Sequence, residues 1–93
     1  MREKEGYSHM EAETRVAVIA ILVRDRQSAQ SINELLHGCD RYIIGRMGIP
    51  YRQKNISIIN IAIDAPQDTV SRLCGAIGRL PGVSVKTVYA PGE

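Results

Sequence analysis

The chain has 93 residues, 44% hydrophobic and 24% charged with a formal net charge of +2, the balance of one small globular domain. That balance excludes a disordered tail, a collagen-like repeat and a disulfide scaffold, and the small charge gives no reason to expect nucleic acid as a partner. Phe and Trp are absent, and the longest apolar run, Val16–Val23, is far short of the roughly 20 residues of a membrane-spanning helix.

Residues 1–13 are polar and aperiodic, with Arg2 and Lys4 against Glu3, Glu5, Glu11 and Glu13. They read as a flexible extension, or as an over-long start with initiation at Met10, ahead of a domain at 14–90. This N-terminus carries no apolar stretch of the signal-peptide kind, so a cytoplasmic location is expected.

Thr14–Val23 is a first strand, apolar at nearly every position. Asp25 or Ser28 can cap the helix that follows, where Ala29, Ile32, Leu35 and Leu36 share one face and Gly38 suits a left-handed terminus. Tyr42–Ile49 is a second strand, Pro50–Lys54 a turn, and Asn55–Ile63 a third strand that is apolar on both faces apart from Ser57 and Asn60. Pro66 suits the first turn of a second helix with Asp64 as its cap, and Val70, Leu73, Cys74, Ile77 and Leu80 form its stripe. Gly75 and Gly78 lie off that stripe, which suggests a close approach of backbone or ligand. Pro81-Gly82 ends this helix, and Val83–Ala90 is a fourth strand.

The order β-α-β-β-α-β in about 77 residues predicts an α+β, ferredoxin-like fold, with an antiparallel sheet in the order 4-1-3-2 and two helices on one face. Strands 1 and 3, central in that order, are the two continuous apolar runs. Two helices cover only one face of such a sheet. The other face would expose a contiguous apolar patch beyond what soluble monomers tolerate, so a homo-oligomer, dimer or tetramer, is expected through the open sheet face.

Sites of chemistry are sparse. HExxH, CxxC and P-loop motifs are absent, and no Ser-His-Asp or Cys-His pair has a supporting context, so an enzyme is not expected. Gly45-Arg46-Met47-Gly48 lacks the strand–loop–helix setting of a phosphate cradle. The acids Asp25, Asp40, Asp64 and Asp68 all sit at element ends, where capping accounts for them. The aromatic residues that stack RNA bases in this fold are replaced by Val, Ile and Ala on the central strands. Cys74 reads as a small core residue, and His37 with Cys39 supplies only two metal ligands, so a metal there would need completion by another subunit. No cofactor and no metal are expected. The positive excess gathers in Arg41, Arg46, Arg52 and Lys54, with no acid between the first and last. These four either contact an anion or an acidic partner or are the solvated charges of an edge hairpin.

Two blocks, Tyr42-Ile43-Ile44-Gly45-Arg46-Met47-Gly48-Ile49-Pro50-Tyr51 and Gly78-Arg79-Leu80-Pro81-Gly82-Val83-Ser84-Val85-Lys86-Thr87, resemble the conserved segments of the iron-only hydrogenase system regulator family. Asn55-Ile56-Ser57 and Asp64-Ala65-Pro66 fit the same pattern, and the resemblance spans roughly Glu13 to Ala90. It implies a stand-alone ferredoxin-like domain similar to ACT domains and to the C-terminal half of the nickel-responsive repressor, with a regulatory role in the iron-only hydrogenase system of anaerobic bacteria. The chain departs from that repressor in having no histidine on strands 2 and 3 and only thirteen residues ahead of strand 1. Nickel sensing and direct DNA binding are therefore not expected.

The ACT-like resemblance places a small ligand near the loop between strand 1 and helix 1, which here offers Arg24, Asp25, Arg26 and Ser28. The expected function is a regulatory module that senses a small molecule or docks on a regulatory protein. The alternative is a ligand-free protein–protein adaptor working through the basic hairpin 41–54.

Overall fold

The computed structural model describes residues 13–92. The expectation of a flexible extension, save Glu13, and the choice between Met1 and Met10 lie outside the described residues. The elements follow as β1 (Thr14–Val23), α1 (Arg26–His37), β2 (Ile43–Tyr51), β3 (Ile56–Pro66), α2 (Gln67–Gly78) and β4 (Val83–Tyr89), with single 3-10 turns at Asp40–Tyr42 and Arg52–Lys54. The sheet order is β2-β3-β1-β4, the expected order read from the opposite edge, with all three pairings antiparallel.

Alternation along the central strands decides the core. Ala17, Ile19, Ile21 and Val23 of β1 and Ile59, Ile61, Ile63 and Ala65 of β3 are buried against Ile32 and Leu36 of α1 and Val70, Leu73 and Ile77 of α2. Each Ile or Leu fully buried there contributes about 1.5–3 kcal/mol by leaving water. The alternate set faces away from the helices, and Val18, Leu22, Met47, Ile49, Tyr51 and Val88 are exposed among them.

Local chemistry sets the element ends. The Asp25 side chain accepts from the Ser28 backbone N–H at 2.9 Å, so Asp25 is the cap of α1, as one of the two expected options. Three expectations are corrected. Gly38 is right-handed (φ −66°), because α1 runs on into the 3-10 turn, with the Cys39 N–H donating to the Leu36 carbonyl. Asp64 is not a cap, because β3 continues through it to Pro66 and α2 begins without a side-chain cap. Pro50 lies in β2, not in a turn: β2 is an edge strand, where a residue without an N–H is tolerated. The turn itself is Arg52–Lys54, closed by Asn55 in the left-handed region at φ 54°, a conformation Asn adopts more readily than most residues.

The two glycines of α2 part company. A Cβ on Gly78, the last residue of the helix, would meet Val85 Cγ1 at 3.3 Å, so a close approach to β4 is real there. A Cβ on Gly75 would meet only the flexible end of Arg79, at 3.6 Å. Gly75→Ala should therefore raise stability by about 0.5–1 kcal/mol, the usual gain at a helix interior, while Gly78→Ala should gain less. Urea unfolding of the two variants checks this, and a destabilised Gly75→Ala would refute it.

Candidate functional site

At one end of the sheet β1 passes into α1 beside the turn that joins β2 to β3. The gap between them is a half-open cleft of about 380 Å3, within the size range of small-molecule sites. Arg24, Asp25, Arg26 and Ala29 form one wall, Pro50, Tyr51, Arg52 and Asn55 the other, and Val23, Ile56 and Ser57 also line it. An Arg24 guanidinium N–H donates to the Lys54 carbonyl at 2.9 Å and ties the two walls together. Three guanidinium groups against one carboxylate give the cleft a positive character, and the Asp25 carboxylate already accepts from the α1 N-terminus.

The two groups of basic residues singled out in the sequence thus meet in part. Arg24, Asp25 and Arg26 stand opposite Arg52, with Lys54 contributing its carbonyl. Ser28 is 2% exposed, and its hydroxyl donates to the Pro81 carbonyl at 2.7 Å, so it anchors the loop to the α2–β4 turn. Arg41 and Arg46 are elsewhere. Arg41 lies over the Tyr42 ring, 4.9 Å from its centroid, and donates to its hydroxyl. Arg46 faces the helices, opposite Ile61, and donates to Asn33 Oδ1 of α1 at 2.6 Å. Of these basic residues, Arg52 lines the cleft and Arg41 and Arg46 do not.

His37 and Cys39 diverge. The imidazole is exposed, with Nδ1 3.5 Å from an Asp40 carboxylate oxygen, while Cys39 packs against the core. Burial pushes the Cys39 thiol above its ordinary pKa, with Arg41 and Arg72 offsetting part of the effect, so at neutral pH it is a thiol rather than a thiolate nucleophile. Among the described residues no three His, Cys, Asp or Glu side chains are grouped as metal ligands. Cys74 Sγ lies 3.0 Å from Thr87 Oγ1, joining α2 to β4.

Apart from Arg52, sequence reasoning missed the far wall of the cleft. Pro50, Tyr51 and Asn55 carry no ligand-binding signature, and only the strand register brings them opposite Arg24. It also missed a cluster at the other end of the sheet. There the Arg15 guanidinium stacks 4.0 Å from the Tyr89 ring centroid, and Gln67 donates to the Tyr89 hydroxyl at 3.1 Å. This cluster pins the start of α2 to β1 and β4.

Comparison with known proteins follows the same outline. A solved structure of an uncharacterized protein, TM1266 from Thermotoga maritima, is 36% identical, superposes with a TM-score of 0.79, and is matched over 83% of this chain and 98% of that one. The ACT domain of a GTP pyrophosphokinase from Chlorobium tepidum is 19% identical, with a TM-score of 0.69 over 81% of this chain and 99% of that one. The C-terminal domain of the MgtC protein from Mycobacterium tuberculosis is 10% identical, with a TM-score of 0.67 over 86% and 92%. These two share the fold. No curated protein is significantly similar in sequence. No helix among the described residues is long and apolar enough to cross a membrane. Residues 15–87 match the family described as "TM1266-like: Iron-only hydrogenase system regulator, putative", and the chain belongs to that family.

Proposed function

We propose that the chain is an ACT-like regulatory module that binds a small anionic molecule in the cleft between Arg24, Arg26 and Arg52 and thereby controls a partner in the iron-only hydrogenase system. The family match and the shared ACT-domain fold support regulation rather than catalysis. One observation carries the ligand class: two basic segments far apart in sequence converge on one cleft of ligand size. Such a ligand would reach the rest of the fold through short links. The Arg24 N–H donates to the Gly82 carbonyl at 2.9 Å and the Ser28 hydroxyl to Pro81, so the ligand loop and the α2–β4 turn move together. The working unit is a cytoplasmic homo-oligomer of this chain, assembled through the open face of the sheet. The adaptor alternative has less support, because Arg46 is held by Asn33 and Arg41 by Tyr42, away from Arg52.

The test is a thermal-shift series with inorganic phosphate, nucleotides and dicarboxylates as probes. A ligand present at a hundred times its dissociation constant stabilises the folded state by about 2.7 kcal/mol. For a domain of this size that raises the melting temperature by roughly 10–20 °C. The shift should vanish in a double Arg24→Ala, Arg52→Ala variant. A module that responds to none of these anions, or whose response survives the double substitution, would overturn the anionic assignment.

A further inference from the structure

The open face of the sheet is best read row by row across the strands. The central row is Met47 on β2, Asn60 on β3, Ala20 on β1 and Lys86 on β4. On one side lie Ile49, Ile58 and Leu22, ending at Ser84, and on the other Gly45, Ala62 and Val18, ending at Val88. On β2 and β3 the larger side chain lies on the first side, whereas on β4 it lies on the second, with Val88 there and Ser84 opposite. Asn60, in the middle, makes no side-chain hydrogen bond among the described residues.

We propose that a second copy of the chain covers this face, packed sheet to sheet about a two-fold axis lying along the central row, so that the Asn60 amides of the two copies hydrogen-bond each other. The inference rests on the homo-oligomer reading above and adds which residues meet.

Three observations favour this occupant. The first is shape: rotation about that axis lays a larger side chain on a smaller one at three strands, Ile49 over Gly45, Ile58 over Ala62 and Val88 over Ser84, with Leu22 over Val18 between them. An isologous contact needs this self-complementarity. The second is chemistry. An amide both donates and accepts, so the two-fold partner of Asn60 satisfies it without a purpose-built group on another protein. Packed sheets lie roughly 10 Å apart, and two Asn side chains each reaching about 3.5 Å from Cα leave about 3 Å between them, a hydrogen-bond length. The third is extent. Four strands about 4.8 Å apart and seven residues at about 3.3 Å each cover roughly 450 Å2 as a flat rectangle. Side-chain relief carries that toward the roughly 800 Å2 per partner of a standard interface. The twelve residues ahead of Glu13 are a poor alternative cover: Met1, Tyr7 and Met10 are their large apolar side chains, against five charges. Lys86 also lies on the axis row, but on the edge strand, so in this arrangement its long side chain can carry the ammonium past the rim into water.

Sedimentation equilibrium of the full chain with a charge swap at Asn60 tests the pairing. Wild type should be a dimer or a dimer of dimers. Asn60→Asp and Asn60→Lys, each placing like charges across the axis, should dissociate at least about a hundredfold more readily, and an equimolar mixture of the two should recover the dimer. Variants that both assemble like wild type, or that separate without recovery on mixing, would overturn the two-fold at Asn60 and leave the homo-oligomer reading standing. A well-folded wild-type monomer at micromolar concentration would overturn both. Isotope-filtered NOE spectra of mixed labelled and unlabelled wild type probe the same pairing without substitution. Contacts should run from Ile58 of one protomer to Ala62 of its partner, and their absence in an assembled sample would refute the arrangement.

Discussion

Ile19→Glu should abolish folding, whereas Ala20→Glu should leave a folded chain that no longer assembles. The two residues are neighbours on β1 and occupy opposite faces of the sheet. Ile19 is fully buried beneath the helices, opposite Ile61 on β3 and Thr87 on β4. A carboxylate there has no cation within the core, and desolvating it costs several kcal/mol on top of the lost Ile packing. Against a total stability of roughly 5–15 kcal/mol for a domain, that is enough to unfold the chain. Ala20 lies on the exposed face between Asn60 and Lys86. In the separated chain a carboxylate at this position stays in water beside the Lys86 ammonium, so the fold survives. In the proposed sheet-to-sheet dimer it would be buried against a second sheet, and assembly should fail. Far-UV circular dichroism should show a coil for the first variant and native ellipticity for the second. The wild-type melting temperature should rise with protein concentration and that of Ala20→Glu should not. Native folding of Ile19→Glu, or wild-type assembly of Ala20→Glu, would contradict the assignment of the faces.

Most of the fold is legible in the sequence because the two periods, 2 and 3.6, are clean. The apolar runs of β1 and β3 announce central strands, and Val70, Leu73 and Ile77 announce the buried stripe of α2. Periodicity alone leaves open which alternate set faces the helices, since both sets on β1 are apolar. Composition carries a signal: the outer set holds Ala20, Asn60, Ala62 and Lys86, smaller and more polar than Ile19, Ile21, Ile61 and Ile63. The missed boundaries have local causes. Pro50 punctuates a turn in most settings, but an edge strand needs no N–H on its outer side. Gly38 offers a left-handed terminus, but a 3-10 turn satisfies the last carbonyls first. The cleft is half visible. Arg24, Asp25 and Arg26 stand out as a charged break after an apolar strand, whereas their meeting with Arg52 depends on the β2–β3 register, which sequence spacing does not reveal.

Gly82→Ala should cost roughly 2–4 kcal/mol and should disable the cleft as well. Two independent constraints meet at this residue. Its φ of +68° lies in the left-handed region, where a Cβ costs roughly 1–2 kcal/mol. The added Cβ would also stand 3.3 Å from Asp25 Cβ and 3.4 Å from the Asp25 backbone nitrogen, and backbone cannot swing aside as a flexible side chain can. Relief must come from moving the β1–α1 loop away. That movement strains the Arg24 N–H bond to the Gly82 carbonyl and the Ser28 hydroxyl bond to Pro81, and it displaces the Asp25 cap of α1. Arg24 and Arg26 move with the loop, so anion binding should weaken even at temperatures where the variant is folded. Gly82→Asn separates the two constraints, because Asn tolerates the left-handed region but carries the same Cβ. It should recover part of the stability and little of the binding. Urea unfolding measures the first effect and the anion-induced melting shift the second. If Gly82→Ala lost stability yet kept the full anion response, the loop would not be coupled to the turn, and the link from ligand to β4 would fall.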